Sequence, residues 1–333
     1  MERNLIWDFK NNIFARHPIL ARMSDGSLIC TFVTGGETEP RNENYVALCR
    51  SRDDGKTWSA PVKAMCHGSR GLTCTEVTAV PEHPMMCFCA YTKESGFREA
   101  QSFRSYTYDN GETWSEPISF ECGLNGVVFS RMSVLSDGSW FFPIAWMSTR
   151  GNFDWVGKET PENEWPFYSG CAVSPDKGET WYRYGNLIHG KGLLEPTAVE
   201  LEDGHIIMLM RSMIVPELFA SHSYDYGKTW TKPERSGIPN PSTKPFLFKV
   251  RDKVFLVNNC NGGFGWINRR NLELLKSEDG CKTFGKVLDL TGPDEFYFYP
   301  YVLADENAEK VYIAIENSVR HELVTLTFKE LGI

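Results

Sequence analysis

The stretch Ser51-Arg52-Asp53-Asp54-Gly55-Lys56-Thr57-Trp58 decides how this chain is read, because it returns. Thr107 to Trp114, Ser174 to Trp181 and Ser223 to Trp230 repeat its pattern, Ser/Thr-x-Asp-x-Gly-x-Thr-Trp. A fifth, degenerate copy runs from Ser277 to Phe284, with Gly280 one place early and Phe in place of Trp. Recurrence at a near-constant period marks a repeat architecture. Asp and Ser/Thr side chains hold tight turns by bonding nearby backbone N–H groups, and a Trp at the turn's exit adds buried area between neighbouring sheets. The boxes are therefore read as structural, and no box residue is proposed for chemistry.

A second repeat interleaves with the first. Apolar run, polar turn and apolar run recur as ILARMSDGSLICTFV (19–33), VTAVPEHPMMCFCAY (77–91), MSVLSDGSWFFPIAW (132–146), TAVELEDGHIIMLMR (197–211), PFLFKVRDKVFLVNN (245–259) and PYVLADENAEKVYIAIE (300–316). Three of the turns carry Asp-Gly (Asp25-Gly26, Asp137-Gly138, Asp203-Gly204), a hairpin signal because these residues tolerate positive φ. No stretch shows helical periodicity. Six such units predict an all-β chain, a six-bladed β-propeller of four-stranded antiparallel blades with Asp-box turns. The last unit has only His321–Phe328 as a third strand, so the N-terminal NLIWDF (4–9) is expected to supply its fourth and close the ring. Residues 1–333 are then one propeller domain.

Composition narrows the function classes. The chain has 333 residues, 41% hydrophobic and 23% charged, which is a foldable mixture. A net charge of −8 gives no reason to expect a nucleic-acid-binding surface. No apolar run reaches the length of a membrane span, and MERNLIWDFKNN has no apolar core of a signal peptide, so a cytoplasmic protein without membrane partners is expected. The ten cysteines lack metal-ligand or CxxC spacing and read as reduced core thiols. Neither a Walker nor a dinucleotide motif is present, and no clustered carboxylates indicate calcium, so no cofactor and no metal are expected.

Antiparallel alternation locates a site. The boxes lie between third and fourth strands, so the starts of first strands and the ends of second strands gather on the opposite face. Arg16, Glu195 and Tyr299 precede the first strands of blades 1, 4 and 6, and Tyr297 and Tyr301 flank Tyr299. Arg211 ends the second strand of blade 4, and Arg269 and Arg270 open the third strand of blade 5. Glu37, Glu39, Arg41 and Glu43 follow the second strand of blade 1, and His67 and His189 follow fourth strands. Several arginines aimed at one point repel one another unless an anion binds there, and Arg offers bidentate donors suited to a carboxylate. The prediction is a pocket for an acidic ligand, with a Glu and a Tyr close by.

At these residues the chain resembles the sialidase (neuraminidase) superfamily. Arg16-His17-Pro18 is similar to that family's Arg-Ile-Pro motif, which holds the first arginine of a carboxylate-binding triad. Glu195 and Arg211 resemble the family's glutamate and second arginine, Arg269 stands where the third is expected with Arg270 beside it, and Tyr299 in Tyr-Pro-Tyr-Val resembles the nucleophilic tyrosine. The resemblance implies an exo-glycosidase acting on a terminal acidic sugar with retention, through Tyr299. A carboxylate nucleophile would be repelled by the carboxylate of such a sugar, whereas a neutral tyrosine is not, and Glu195 is implied to accept its proton.

One position departs from the family. Where its acid/base aspartate is expected, the run FVTGGETEPRNENYVALCRS (32–51) places Arg41, with Glu39, Glu43, Glu37 and the more distant His67 as substitutes. The departure admits two alternatives to hydrolysis: β-elimination beside the carboxylate of a uronic acid, with a Tyr or His as base, and carbohydrate binding without catalysis. In the long segment from Trp146 to Gly170, Trp155, Trp165 and Phe167 are of a type that stacks on sugar rings. The expected partner is an acidic oligosaccharide or glycoside. No oligomeric state is assigned.

Overall fold

A computed structural model describes residues 1–9, 14–78, 83–120, 128–147 and 167–333. Its strands form six antiparallel sheets, the blades of the expected all-β six-bladed β-propeller. Blade 1 is Ala15–Arg22, Leu28–Thr34, Tyr45–Ser51 and Val62–Met65. Blade 2 is Gly71–Thr78, Met85–Thr92, Gly96–Tyr106 and Ile118–Ser119. In blade 3 two short strands, Val128–Phe129 and Ser133–Val134, both pair with Trp140–Met147, followed by Phe167–Ser174 and Tyr182–Leu187. Blade 4 is Leu193–Glu202, His205–Ser212, Glu217–Ser223 and Glu234–Pro239. Blade 5 is Phe246–Val250, Lys253–Asn259, Leu272–Ser277 and Gly285–Asp289. Blade 6 joins Phe298–Asp305, Lys310–Glu316 and Arg320–Thr327 to the N-terminal Glu2–Asp8, which pairs with Arg320–Thr327 as the missing fourth strand.

The blades fall into two compact units, described separately. One is built on Met1–Phe120 and Tyr299–Ile333, and carries blades 1, 2 and 6. The other is built on Val128–Phe298, and carries blades 3, 4 and 5.

In the second unit, the strand HIIMLMRS (205–212) shows why the inner strands are almost continuously apolar. Its side chains alternate between two faces, and both faces are covered. Ile206, Met208 and Met210 pack with Phe141, Cys171 and Val173 of blade 3. Ile207 and Leu209 pack instead with Leu247, Val254, Leu256 and Leu275 of blade 5. Outer strands such as Val62–Met65 are largely exposed, consistent with their weaker apolar pattern.

The five boxes share one geometry. In the first, Thr57 donates to both oxygens of Asp53 (backbone N–H 2.9 Å, hydroxyl 2.6 Å), while Ser51 Oγ accepts from the Gly55 amide at 2.8 Å. Those bonds hold the Asp53 carboxyl near pH 2, against an ordinary 3.8, and Asp109, Asp176 and Asp279 are held equally low. Two successive residues take left-handed backbone in every box, such as Asp54 (φ 62°) and Gly55 (φ 87°). In the degenerate copy Gly280 fills the first of these places, and Cys281 (φ 67°) fills the second, where the others have glycine. Trp230 of the fourth box reaches Phe141 of blade 3 (centroids 6.5 Å apart), so its indole does bridge neighbouring sheets.

Each box follows a third strand, at the end of the blade where the first strand finishes. Arg22, the last residue of the first strand of blade 1, accordingly bonds Asp54 at 2.7 Å. Arg16 pairs with Val33, and Leu194 with Arg211, at the opposite ends of their blades. Within each blade, then, the boxes and the candidate residues sit at opposite ends.

Candidate active site

The candidate residues begin with an unusual backbone. His17 (φ 61°), Glu195 (φ 50°) and Tyr299 (φ 50°) are all left-handed, and each is followed by proline. Proline disfavours a helical conformation in the residue before it, and a non-glycine residue at positive φ is strained by about 1–3 kcal/mol. Pairing skips the first two of these dipeptides: the register shifts between Arg16 and Ile19 in blade 1, and between Leu194 and Thr197 in blade 4. The bulge turns a side chain out of the regular alternation of the strand. Arg16, Glu195 and Tyr299 were expected just before first strands; each lies instead inside the opening of one.

In the unit of blades 3 to 5, Arg211 and Arg269 converge on one atom. Arg211 Nη1 donates to the Ser242 carbonyl at 2.7 Å, and Arg269 Nη2 donates to the same oxygen at 2.8 Å. Both arginines are buried, and Arg211 Nε lies 2.7 Å from Glu195 Oε2. The Ser242 carbonyl is held in place by a buried amide network. Asn240 accepts from the Thr243 amide (2.9 Å) and donates to Thr243 O (3.0 Å) and Asn258 Oδ1 (2.7 Å). The Arg269 guanidinium also lies over the rings of Trp266 (4.7 Å) and Phe298 (5.4 Å). Two buried guanidinium groups that converge on one oxygen present neighbouring N–H donors, a geometry that suits an anion with two acceptor oxygens. Arg270 goes elsewhere: its side chain is 44% exposed and 3.7 Å from Asp294.

In the unit of blades 1, 2 and 6, His17 stands at the centre of a second cluster. Its ring stacks on Tyr299 (centroids 5.1 Å apart, planes at 17°), and its Nε2 lies 3.3 Å from Glu39 Oε2. Its backbone N–H donates to Glu316 Oε2 at 2.8 Å, and Glu316 is fully buried beside His321. Burial pushes the proton affinity of His321 down, so it is held neutral. The Tyr91 hydroxyl lies between Glu39 Oε1 (3.1 Å) and Asn44 Oδ1 (2.9 Å). Burial raises the Glu39 carboxyl, but the contacts with His17, Thr73 and Tyr91 outweigh it and hold Glu39 below its ordinary value, hence ionised. Arg16, next in the chain, places its guanidinium 5.5 Å from the Phe14 ring. Two residues past Tyr299, Tyr301 is buried and donates to buried Glu76 at 2.6 Å.

Of the substitutes for an aspartate, Glu39 is the one brought to this cluster. Glu37 and Glu43 are exposed, and Arg41 is occupied through its backbone N–H with Asn44 (2.7 Å) and through Nη1 with the Pro40 carbonyl (3.1 Å). His67 is exposed, and its Nδ1 accepts from the Ser69 and Arg70 amides at 3.1 Å. His189 accepts from the Lys191 amide at 3.1 Å. Trp155 and Trp165 lie outside the described residues. Sequence reasoning missed His17, Asn240, Asn258 and Ser242. For His17 a signal existed in the recurring X-Pro at first-strand starts, His17-Pro18, Glu195-Pro196 and Tyr299-Pro300.

Residues 68–313 match the family model described as a BNR repeat-like domain. The chain is 30% identical to a sialidase of Clostridium perfringens over 256 residues, covering 68% of this chain and 62% of the relative. A sialidase of Paraclostridium sordellii is 26% identical, with 66% and 58% covered, so the chain spans about three fifths of these curated relatives. Among solved structures, the Hadza microbial sialidase Hz136 superimposes with a TM-score of 0.75 at 20% identity, covering 95% of this chain and 66% of that one.

Proposed function

Because the chain belongs to the BNR repeat-like family within the sialidase superfamily, we propose that it is a glycosidase releasing a terminal acidic sugar, with its carboxylate held by arginine. The observation that carries this reading is the convergence of buried Arg211 and Arg269 on the Ser242 carbonyl beside Glu195. The names of the two clostridial relatives support the reaction class. The resemblance assigns Arg16 to the same carboxylate, Tyr299 to the anomeric carbon and Glu195 to the proton of Tyr299. A phenol adds no negative charge next to the substrate carboxylate until attack begins, and a carboxylate acceptor removes its proton as the bond forms.

The experiment is a panel of aryl glycosides of acidic sugars, read for both released aglycone and the ultraviolet absorbance of unsaturated products. Aglycone release without unsaturation is expected. Arg211→Ala should weaken binding of the acidic sugar by about 2–5 kcal/mol, the range for truncating one partner of a buried charge pair. Unchanged affinity in that variant would remove Arg211 from the carboxylate site. An unsaturated product would replace hydrolysis by β-elimination, and binding without turnover would leave a carbohydrate-binding propeller.

A further inference from the structure

We infer that Asn258, fully buried in the second strand of blade 5, is a positioning residue of the anion site, fixing Arg211 and Arg269 through Asn240 and the Ser242 carbonyl. The inference rests on the glycosidase reading above, and it adds a residue to which the family resemblance gives no role.

The chain of contacts starts from one peptide group. A trans peptide is planar, with its C=O and N–H pointing opposite ways. The Thr243 N–H belongs to the same peptide as the Ser242 carbonyl, and it donates to Asn240 Oδ1 at 2.9 Å. The carbonyl is thereby aimed away from Asn240, and its two lone pairs take Arg211 Nη1 and Arg269 Nη2 together. A shift of this one oxygen moves both guanidinium groups. Ser242 holds left-handed backbone (φ 65°), a strained state for a non-glycine residue that persists only where the surroundings enforce it.

Asn258 supplies that enforcement. Its Oδ1 accepts from Asn240 Nδ2 at 2.7 Å, and its own Nδ2 donates to the Pro239 carbonyl at 2.8 Å. Asn240 then presents its Oδ1 to the Thr243 amide, because a flipped Asn240 amide would turn an oxygen toward Asn258 Oδ1. Asn258 itself is fixed by its strand, where it pairs with Glu273. Asn240, Thr243 and Asn258 are all fully buried, so water does not compete for these bonds. The same turn also anchors the segment ahead of Arg269. The Pro241 carbonyl accepts from the Gly265 N–H at 3.1 Å, one residue before Trp266, whose ring lies 4.7 Å from the Arg269 guanidinium.

The test uses a charge that does not change. A substrate carboxylate is ionised both before and during cleavage, so its contacts with arginine serve ground state and transition state alike, and losing them raises KM at constant kcat. Asn258→Ala should raise KM for an acidic aryl glycoside by about 10–100-fold, with kcat within about threefold of wild type. In an Asn240→Ala background the same change should add less than about twofold, since both residues act on one carbonyl. An unmoved KM in Asn258→Ala, with or without a lower kcat, or additive effects of the two substitutions, would overturn the proposal while leaving the glycosidase reading standing. A wild-type protein that cleaves no acidic glycoside would overturn both. Should Asn258→Ala fail to fold, Ser242→Val decides: a β-branched side chain resists left-handed backbone, so the carbonyl shifts although both asparagines remain. KM should again rise by about tenfold or more, and an unmoved KM would overturn the proposal.

Discussion

Tyr299 and Tyr301 are two residues apart in one strand, and their surroundings differ. Tyr301 is buried, and its hydroxyl donates to Glu76, itself fully buried, at 2.6 Å. Tyr301→Phe keeps the ring and removes this donor from a buried carboxyl oxygen, a loss of about 1–3 kcal/mol. At a urea m-value of about 3 kcal/mol/M, the unfolding midpoint should fall by roughly 0.3–1 M. Tyr299 is partly exposed and stacks on His17 through its ring, which Tyr299→Phe retains. That variant should lose turnover by orders of magnitude while still unfolding cooperatively, since the ring that stacks on His17 is kept. Urea unfolding followed by tryptophan fluorescence, run beside hydrolysis of an acidic aryl glycoside, reads both effects. The reverse pattern, with Tyr301→Phe stable but inactive and Tyr299→Phe active, would transfer the nucleophile to Tyr301 and refute the assignment.

Two further outcomes follow from the same contacts. The box aspartates Asp53, Asp109, Asp176 and Asp279 are held near pH 2 by their Thr partners, below an ordinary 3.8. Their contribution to stability is therefore full above about pH 4 and lost as pH falls through about 2, so the urea midpoint should drop across that window, and Asp109→Ala should drop less steeply. A midpoint equally pH-dependent in Asp109→Ala would take that box out of the acid response. Asn240→Ala removes the buried amide that holds the turn carrying the Ser242 carbonyl, and should raise KM for an acidic substrate far more than for a neutral analogue. Equal effects on both substrates would mean that the turn does not serve the anion site.

Much of the fold was legible because its determinants are local. Each box needs only an Asp, two hydroxyl side chains and two left-handed residues within eight positions, and those survive as a readable string. The N-terminal fourth strand could be expected because blade 6 would otherwise end one strand short after His321–Phe328. The split first strand of blade 3, Val128–Phe129 and Ser133–Val134, was not legible, since neither piece is long enough to show alternation. Strand starts were placed slightly late at Arg16, Glu195 and Tyr299, because proline and a bulge suggest an ending where the chain only swerves.

The site was legible by residue type and less so by partner. Arg269 and Arg270 are indistinguishable as a string; it is the Ser242 carbonyl, 27 positions away from Arg269, that selects the first, while Asp294 draws the second. Glu39 was one of four acidic or basic substitutes, and only folding shows that Tyr91, 52 positions on, and His17, 22 positions back, close around it. His17 itself was hidden in a motif read for its arginine.

In the proposed reaction a terminal acidic sugar is transferred to Tyr299 on its way to water. Incubating the protein with a fluorinated, slow-turnover acidic sugar, digesting it and locating the adduct by mass spectrometry tests this most directly. The sugar should be found on Tyr299, and Tyr299→Phe should carry none. An adduct on a carboxylate such as Glu39 or Glu195, or turnover of the sugar undiminished in Tyr299→Phe, would contradict it.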